Sequence, residues 1–156
     1  MKPSPASPLY QVSEITLHYQ SKVKASLRPK VTSSEDAYRI LHLHWDKNKL
    51  ELLEEFKILL LNRANKVLGI VNISSGGIAG TVADPKLIFA AALKSSASSL
   101  ILSHNHPSGN LTPSQADLQL TRKLKEAGSF LDLPVLDHII ITPDPSYYSF
   151  ADEGVL

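Results

Sequence analysis

The sequence contains no cysteine among its 156 residues. Disulfide bonds and thiolate metal ligands are therefore excluded, and any bound metal must be held by nitrogen and oxygen atoms. The chain also lacks the H-x-E and P-C-x-x-C motifs that zinc-dependent nucleobase deaminases require. That class of zinc enzyme is excluded as well.

Long apolar runs are also missing from the sequence. The longest runs, such as residues 87–93, are far shorter than the roughly 20 residues that span a bilayer. The opening residues 1–8 have no apolar core and so do not form a secretory signal. We expect a disordered tail over residues 1–9, no contact with membranes and a cytoplasmic location.

The sequence has almost no excess of either charge sign, because 16 lysine and arginine residues nearly balance 15 aspartate and glutamate residues. The formal net charge is +1. Domains that bind nucleic acid without specificity are usually strongly basic, so this balance argues against such binding. One local basic cluster stands out, formed by Lys22, Lys24, Arg28 and Lys30. We favour a solvated face as its explanation, and a weak phosphate-binding surface is the alternative.

The composition is sufficient for one folded domain, which we place at residues 10–156. Hydrophobic residues make up 43% of the chain, enough for a substantial core. Periodicity and turn residues predict the following elements. The predicted strands are 14–19 (in a hairpin with 22–27), 56–61, 67–72, 98–103, 135–142 and 148–150, and the predicted helices are 34–45, one begun by Pro85 after an Asp84 cap, and one from a Thr112 cap to about Gly128. This alternation predicts an α/β fold with a mixed, partly parallel sheet.

The most informative motif follows the strand at 98–103. It reads H-x-H, seven residues, then S-x-x-D, and comprises His104, His106, Ser114 and Asp117. In an extended strand the two histidines point to the same side. Ser114 and Asp117 share one face of the following helix because they are three residues apart. Two imidazoles and one carboxylate leave a fourth tetrahedral position open, which is typical of a catalytic zinc site. We therefore predict one zinc ion per chain, in a metal-site core over about residues 50–156.

Each residue of the motif also has a simpler explanation. Asp117 can complement the helix dipole, Ser114 can be a helix-start residue only, and His104 and His106 can be ordinary polar loop residues beside a turn. Of the remaining histidines, the pair His42 and His44 is predicted to lie on a helix, where residues two apart diverge. His18 is expected on a surface strand. For His138 we favour a hydrogen-bonded core position, and an outer partner of the metal site is the alternative.

Zinc hydrolases usually need a carboxylate that handles the proton of the attacking water. Three candidates, Glu51, Glu54 and Glu55, precede the strand at 56–61. Glu54 shares its side of that strand with Phe56 and other apolar residues, whereas Glu55 shares its side with Lys57. We therefore predict that Glu54 points inward and Glu55 faces solvent. A solvated acidic patch is the alternative.

A further segment from Ser74 to Gly80 is rich in serine and glycine. It has two open interpretations. One is a plain loop or bulge, and the other is a backbone edge that aligns a peptide substrate by strand addition.

With these residues in view, the sequence resembles the JAMM (MPN+) metalloproteases. The string HNHPSG, with Leu136-Asp137-His138 downstream, resembles the bacterial RadC-like JAB family more narrowly, from about Glu35 to Leu156. The resemblance implies a cytidine-deaminase-like JAB/MPN fold with His104, His106 and Asp117 as zinc ligands. It also implies Glu54 as the catalytic acid/base and Ser114 as the hydroxyl that stabilises the oxyanion.

The resemblance implies a zinc-dependent metallopeptidase or isopeptidase that acts on an amide bond of a peptide or protein. Longer RadC-like proteins carry a helix-hairpin-helix region associated with DNA binding, and we expect this chain to be a short form without it. Two other hypotheses stay open. One is a non-catalytic interaction module, and the other is an accessory factor in the DNA repair for which the family is named.

Overall fold

The architecture was obtained from a computed structural model, which describes residues 11–76 and 82–156. The predicted tail at 1–9 and most of the serine- and glycine-rich segment lie outside these residues. The helices are α1 (Ser34–Leu43), α2 (Lys47–Leu50), α3 (Pro85–Lys94) and α4 (Gln115–Phe130), and the strands are β1 (Glu55–Leu61), β2 (Val67–Ser75), β3 (Ser99–Asn105), β4 (Val135–Ile141) and β5 (Tyr147–Ser149).

The five strands form one sheet in the order β2-β1-β3-β4-β5. β1 is antiparallel to both β2 and β3, β3 is parallel to β4, and β4 is antiparallel to β5. The parallel pair is joined by α4, as a crossover between parallel strands requires. The predicted α/β fold with a mixed, partly parallel sheet is therefore confirmed.

Each face of the sheet carries its own core. Alternate residues of β1 show this division, because Ile58 packs toward the α3 and α4 side and Leu59 packs toward the α1 side. The central strands β1 and β3 are buried along their whole length. The ends of these strands are therefore held rigidly, and the metal motif sits at one of them.

The first part of the described chain differs from the prediction. No strand forms at 14–19 and no hairpin forms with 22–27, where a short 3-10 turn at Ala25–Leu27 is found instead. Ile15 and Leu17 are 88% and 80% exposed. The alternating pattern is present, but it has no apolar surface to cover, and alternation favours a strand only where one face becomes buried.

The start of α4 also differs from the prediction. Ser114, and not Thr112, is the N-cap, and the helix continues beyond Gly128 to Phe130. The reason is a capping box between Ser114 and Asp117, which satisfies two backbone N–H groups at the helix start. The Thr112 side chain makes no corresponding bond among the described residues.

Candidate metal centre

The end of β3 brings the two histidines of the motif together. His104 lies within β3, and His106 follows it, with its backbone N–H donating to the Ile141 carbonyl of β4 at 2.9 Å. This bond keeps the chain extended past the strand end, so both rings point to the same side. Their Nε2 atoms are 2.9 Å apart. The predicted convergence of the two histidines is confirmed.

The first turn of α4 adds the carboxylate. The Asp117 Oδ1 atom is 3.4 Å from His104 Nε2, and its Oδ2 atom is 3.6 Å from His106 Nε2. Asp117 Oδ2 also accepts the backbone N–H of Ser114 at 2.7 Å. The capping interaction and the metal-site interaction are therefore made by one carboxylate, and the cap fixes its orientation.

The three side chains fit a zinc ion. One ligand atom from each lies within 4.8 Å of the others. A tetrahedral zinc ion with ligands at 2.0–2.1 Å would separate them by about 3.3 Å, close to the observed spacing. His104 and Asp117 come from different elements, and no other group of this kind is present among the described residues.

Hydrogen bonds behind the ligands determine which imidazole nitrogens face the centre. His106 Nδ1 lies 2.6 Å from the Asn110 carbonyl, which can only accept, so this nitrogen carries the proton. The hydroxyl of Thr121 donates to the Asp117 carbonyl at 2.6 Å and accepts from His138 Nδ1 at 2.6 Å. His138 Nε2 is then left to accept from His104 Nδ1, at 2.8 Å.

This chain of bonds, from the Asp117 carbonyl through Thr121 and His138 to His104, is called the relay below. It leaves His104 with an unprotonated Nε2 atom directed at the centre, as a metal ligand requires. His138 is fully buried. It is both a core histidine and an outer partner of the site, so the two sequence interpretations of this residue are compatible.

The electrostatics of the centre favour a positive charge. Burial raises the pKa of Asp117, but hydrogen bonds and charge from the protonated forms of His104 and His106, whose protons a bound metal ion would replace, hold that pKa far below its ordinary value. Burial lowers the pKa of His106, yet Asp117, the Asn110 carbonyl and Glu54 raise it overall. Burial, reinforced by the charge of His104, holds the pKa of His138 well below its ordinary value. The relay histidine is therefore neutral while the ligand atoms attract a cation.

A cavity of about 500 Å³ opens beside the ligands. It is lined by residues from two segments, the one before β1 and the loop between β3 and α4: Glu51, Glu54, His106, Pro107, Ser108, Asn110, Thr112 and Ser114. Ser114 Oγ accepts the Asp117 backbone N–H at 3.1 Å, which leaves its own proton free to donate into the cavity. Glu54 and Ser114, the two predicted catalytic residues, therefore border the same space as the candidate ligand His106.

Glu55 was predicted to face solvent, and this prediction is wrong. Its side chain is 1% exposed and lies 3.2 Å from the ammonium of Lys57, which is itself buried. Ser75 donates a hydrogen bond to Glu55 Oε1 at 3.0 Å. Lys57 in turn lies over the ring of Trp45, at 4.9 Å from its centroid. This face of β1 can be buried because the charges of Glu55 and Lys57 compensate each other. The presence of Lys57 on the same side therefore did not mean that Glu55 faces solvent.

The other predicted features lie away from the centre. His42 and His44 are on and just after α1, and His18 is exposed as expected, although not on a strand. The basic cluster is largely exposed, and its Arg28 donates to the Ser21 hydroxyl at 2.9 Å. No helix among residues 11–76 and 82–156 is long and apolar enough to cross a bilayer.

Comparison with known proteins agrees with this geometry. A family model described as a RadC-like JAB domain matches residues 31–155. A UPF0758 protein of Flavobacterium johnsoniae is 51% identical over 126 residues, which cover 81% of this chain and 53% of the relative. The chain belongs to the RadC-like JAB family.

Other UPF0758 relatives extend this likeness. The protein of Porphyromonas gingivalis is 42% identical over 129 residues, covering 83% of this chain and 56% of its own length. That of Geotalea uraniireducens is 36% identical over 154 residues, covering 99% and 65% respectively. The chain thus spans about half the length of the first two relatives. The matched region includes both histidines, Ser114 and Asp117.

Proposed function

We propose that this RadC-like JAB protein is a zinc-dependent hydrolase of JAMM type that cleaves an amide bond in a peptide or protein. The observation that carries the proposal is the convergence of two imidazoles and a carboxylate within 4.8 Å. Nitrogen and oxygen donors in this number suit zinc and leave one position for chemistry. Zinc bound there would lower the pKa of water and polarise a carbonyl group.

Glu54 is the residue proposed to move the proton. It borders the cavity with His106 and is close enough to raise the pKa of that ring through its charge. In the proposed reaction, the Glu54 carboxylate takes a proton from the attacking water and then delivers it to the nitrogen of the leaving amine. General acid–base catalysis of this kind contributes about 10²–10⁴-fold to the rate.

Ser114 is proposed to stabilise the oxyanion. Its hydroxyl proton is not used by the helix cap, because the cap needs only the lone pair of Oγ. A hydroxyl fixed in this way is pre-organised to donate to the negative oxygen that develops on the attacked carbonyl. Thr121 and His138 hold His104 in the required tautomer, and Phe56, stacked on His104 at 6.1 Å between ring centroids, covers that ring.

The test compares two glutamates of the same cavity. Zinc-loaded wild type, Glu54→Gln and Glu51→Gln are assayed on a panel of peptide and isopeptide-linked substrates. Glu51 is exposed and is not proposed to act in the reaction, so Glu51→Gln controls for charge in the cavity. We expect Glu54→Gln to keep its zinc and to lose at least about 10²-fold in kcat, while Glu51→Gln stays active. Retained turnover in Glu54→Gln would remove Glu54 from the mechanism, whereas no turnover in zinc-loaded wild type on any substrate would favour the interaction-module alternative.

A further inference from the structure

The residue between the two ligand histidines has a structural position of its own. Asn105 is fully buried, although its side chain is an amide. Because side chains alternate along a strand, it points to the face opposite that of His104 and His106. A buried amide is costly unless its hydrogen bonds are made, so its partners show what it does.

The amide group of Asn105 is bonded three times, and every bond goes to the segment before and into β1. Its Oδ1 atom accepts the backbone N–H of Glu55 at 2.7 Å. Its Nδ2 atom donates to the carbonyls of Leu50 at 2.9 Å and Leu53 at 3.0 Å. Both N–H donors and one acceptor site are thus used within six consecutive residues.

Glu54 lies inside this segment, between two of the bonded groups. The Leu53 carbonyl and the Glu55 N–H, on either side of Glu54, are held by the same side chain. The Glu54 carbonyl itself accepts the Gly76 N–H at 2.8 Å. The backbone on both sides of Glu54 is therefore fixed relative to β3.

We propose that Asn105 is a positioning residue that ties Glu54 to the strand that bears the metal ligands. The Asn105 side chain fixes the position of the Glu54 carboxylate relative to His104 and His106. It can do so because Asn105 lies directly between these two histidines in the chain. The inference rests on the proposed function of Glu54. A displacement of about 1 Å in a reacting group can cost about 10²-fold in rate, so such registration is catalytically significant.

A matched pair of variants separates positioning from general stability. Asn105→Ala removes the bonds to the segment, whereas Ser103→Ala removes a different buried bond of β3. Ser103 is also fully buried, and its hydroxyl donates to the Ile139 carbonyl at 2.8 Å, away from Glu54. Asn105→Asp is a near-isosteric second variant, which keeps an acceptor for the Glu55 N–H but loses both donors.

The first readout is hydrogen exchange of the Glu55 amide, which needs neither metal nor substrate. We expect exchange to speed up at least about fivefold in Asn105→Ala, which corresponds to about 1 kcal/mol, the net contribution of one hydrogen bond. Ser103→Ala should leave that amide unchanged relative to other amides of β1. Equal protection of Glu55 in both variants would overturn the inference.

The second readout is the affinity of zinc-loaded protein for acetohydroxamate, measured by titration calorimetry. This small probe chelates zinc and can donate a hydrogen bond to a carboxylate beside the metal. Glu54→Gln should weaken its binding about tenfold, as loss of a charge-assisted hydrogen bond does. Asn105→Ala and Asn105→Asp should weaken it to a similar degree while zinc affinity is kept.

The double variant decides between the outcomes. If Asn105 acts through Glu54, Asn105→Ala combined with Glu54→Gln binds the probe no more weakly than Glu54→Gln alone. Two results would overturn the inference and leave the proposed function standing. One is an additive loss of probe affinity in the double variant. The other is unchanged probe affinity in the Asn105 variants when Glu54→Gln binds the probe more weakly. No loss in Glu54→Gln itself would contradict the role of Glu54, and the inference would fall with it.

Discussion

The chain contains two His-x-His pairs with identical spacing and opposite outcomes. His42 and His44 lie at the end of a helix, where residues two apart are rotated by roughly 200°. His42 packs near the ring of Tyr38, and His44 Nδ1 turns back to the Ile40 carbonyl at 2.8 Å. The pair at the end of β3 instead converges to 2.9 Å between Nε2 atoms. The backbone that carries a motif, and not its spacing alone, decides whether it can bind a metal.

The surroundings of the two pairs differ as much as their backbones. His104 and His106 are called the strand pair, and His42 and His44 the helix pair. Around the strand pair, Asp117 supplies a carboxylate to both rings and the relay orients His104. His44 is exposed, and no carboxylate forms a metal-binding group with the helix pair in the described part of the chain. A metal site therefore needs convergent ligands, a counter-charge and outer hydrogen bonds together.

Removal of the shared carboxylate charge should have the largest effect on the strand pair. Asp117→Asn keeps an oxygen that can accept the Ser114 N–H, so α4 should stay capped. We expect zinc affinity to fall by more than about 100-fold, because loss of an outer partner alone costs 10–100-fold. Competition with a chromogenic chelator measures this. Zinc affinity within tenfold of wild type would mean that Asp117 serves the helix cap and is not a ligand.

Removal of the relay hydroxyl should have an intermediate effect. Thr121→Val has nearly the same shape but no acceptor for His138 Nδ1. We expect zinc affinity to fall by about 10–100-fold, and the free energy of unfolding by about 1–3 kcal/mol because a buried donor loses its partner.

The control for Thr121→Val is Ser95→Ala. Ser95 is buried, and its hydroxyl donates to the Ala92 carbonyl of α3 at 3.1 Å, a bond that involves no residue of the relay. Ser95→Ala should lower the free energy of unfolding, measured by chemical denaturation, by about 1 kcal/mol. It should leave the zinc affinity unchanged. If both variants bind zinc like wild type, the relay does not orient His104.

Changes to the helix pair should have the smallest effect. His42→Ala and His44→Ala are expected to leave the zinc content unchanged and to alter the free energy of unfolding by no more than about 0.5 kcal/mol, as is usual for surface positions. Elemental analysis and thermal unfolding check both statements. A drop in bound zinc in either variant would show that His-x-His spacing allows metal binding even on a helical backbone.

The sequence predicted most of the elements that build the site. The buried run before His104 and the Asp84-Pro85 start of α3 were correctly identified, because long apolar runs and caps depend on local chemistry. The convergence of His104, His106 and Asp117 was also predicted, since strand and helix periodicity fix which side chains share a side.

Errors arose where tertiary contacts outweighed local patterns. The sequence places Glu55 in solvent because it shares a side with Lys57, but Lys49 of α2 contacts Glu55, Trp45 contacts Lys57, and the charges of Glu55 and Lys57 pair there. Thr112 followed by Pro113, with Gln115 three residues after Thr112, is typical of a helix start, yet the capping box forms two residues later, between Ser114 and Asp117.

Two residues of the site were missed altogether. Thr121 lies four residues after Asp117, so a hydroxyl on the same helix face was a signal for an outer partner. Asn105 lies between His104 and His106 and points to the opposite face of the sheet, so its buried amide had to find partners on that face. Both signals were present, but the identity of the partners depends on which strands become neighbours.

The site formed by His104, His106 and Asp117 is expected to bind one zinc ion. The most direct measurement is zinc content by elemental analysis of wild type, His104→Ala and His44→Ala, each loaded with zinc and freed of excess. We expect one zinc per chain in wild type and in His44→Ala, and none in His104→Ala. Zinc absent from wild type, or retained in His104→Ala, would contradict zinc binding at this site.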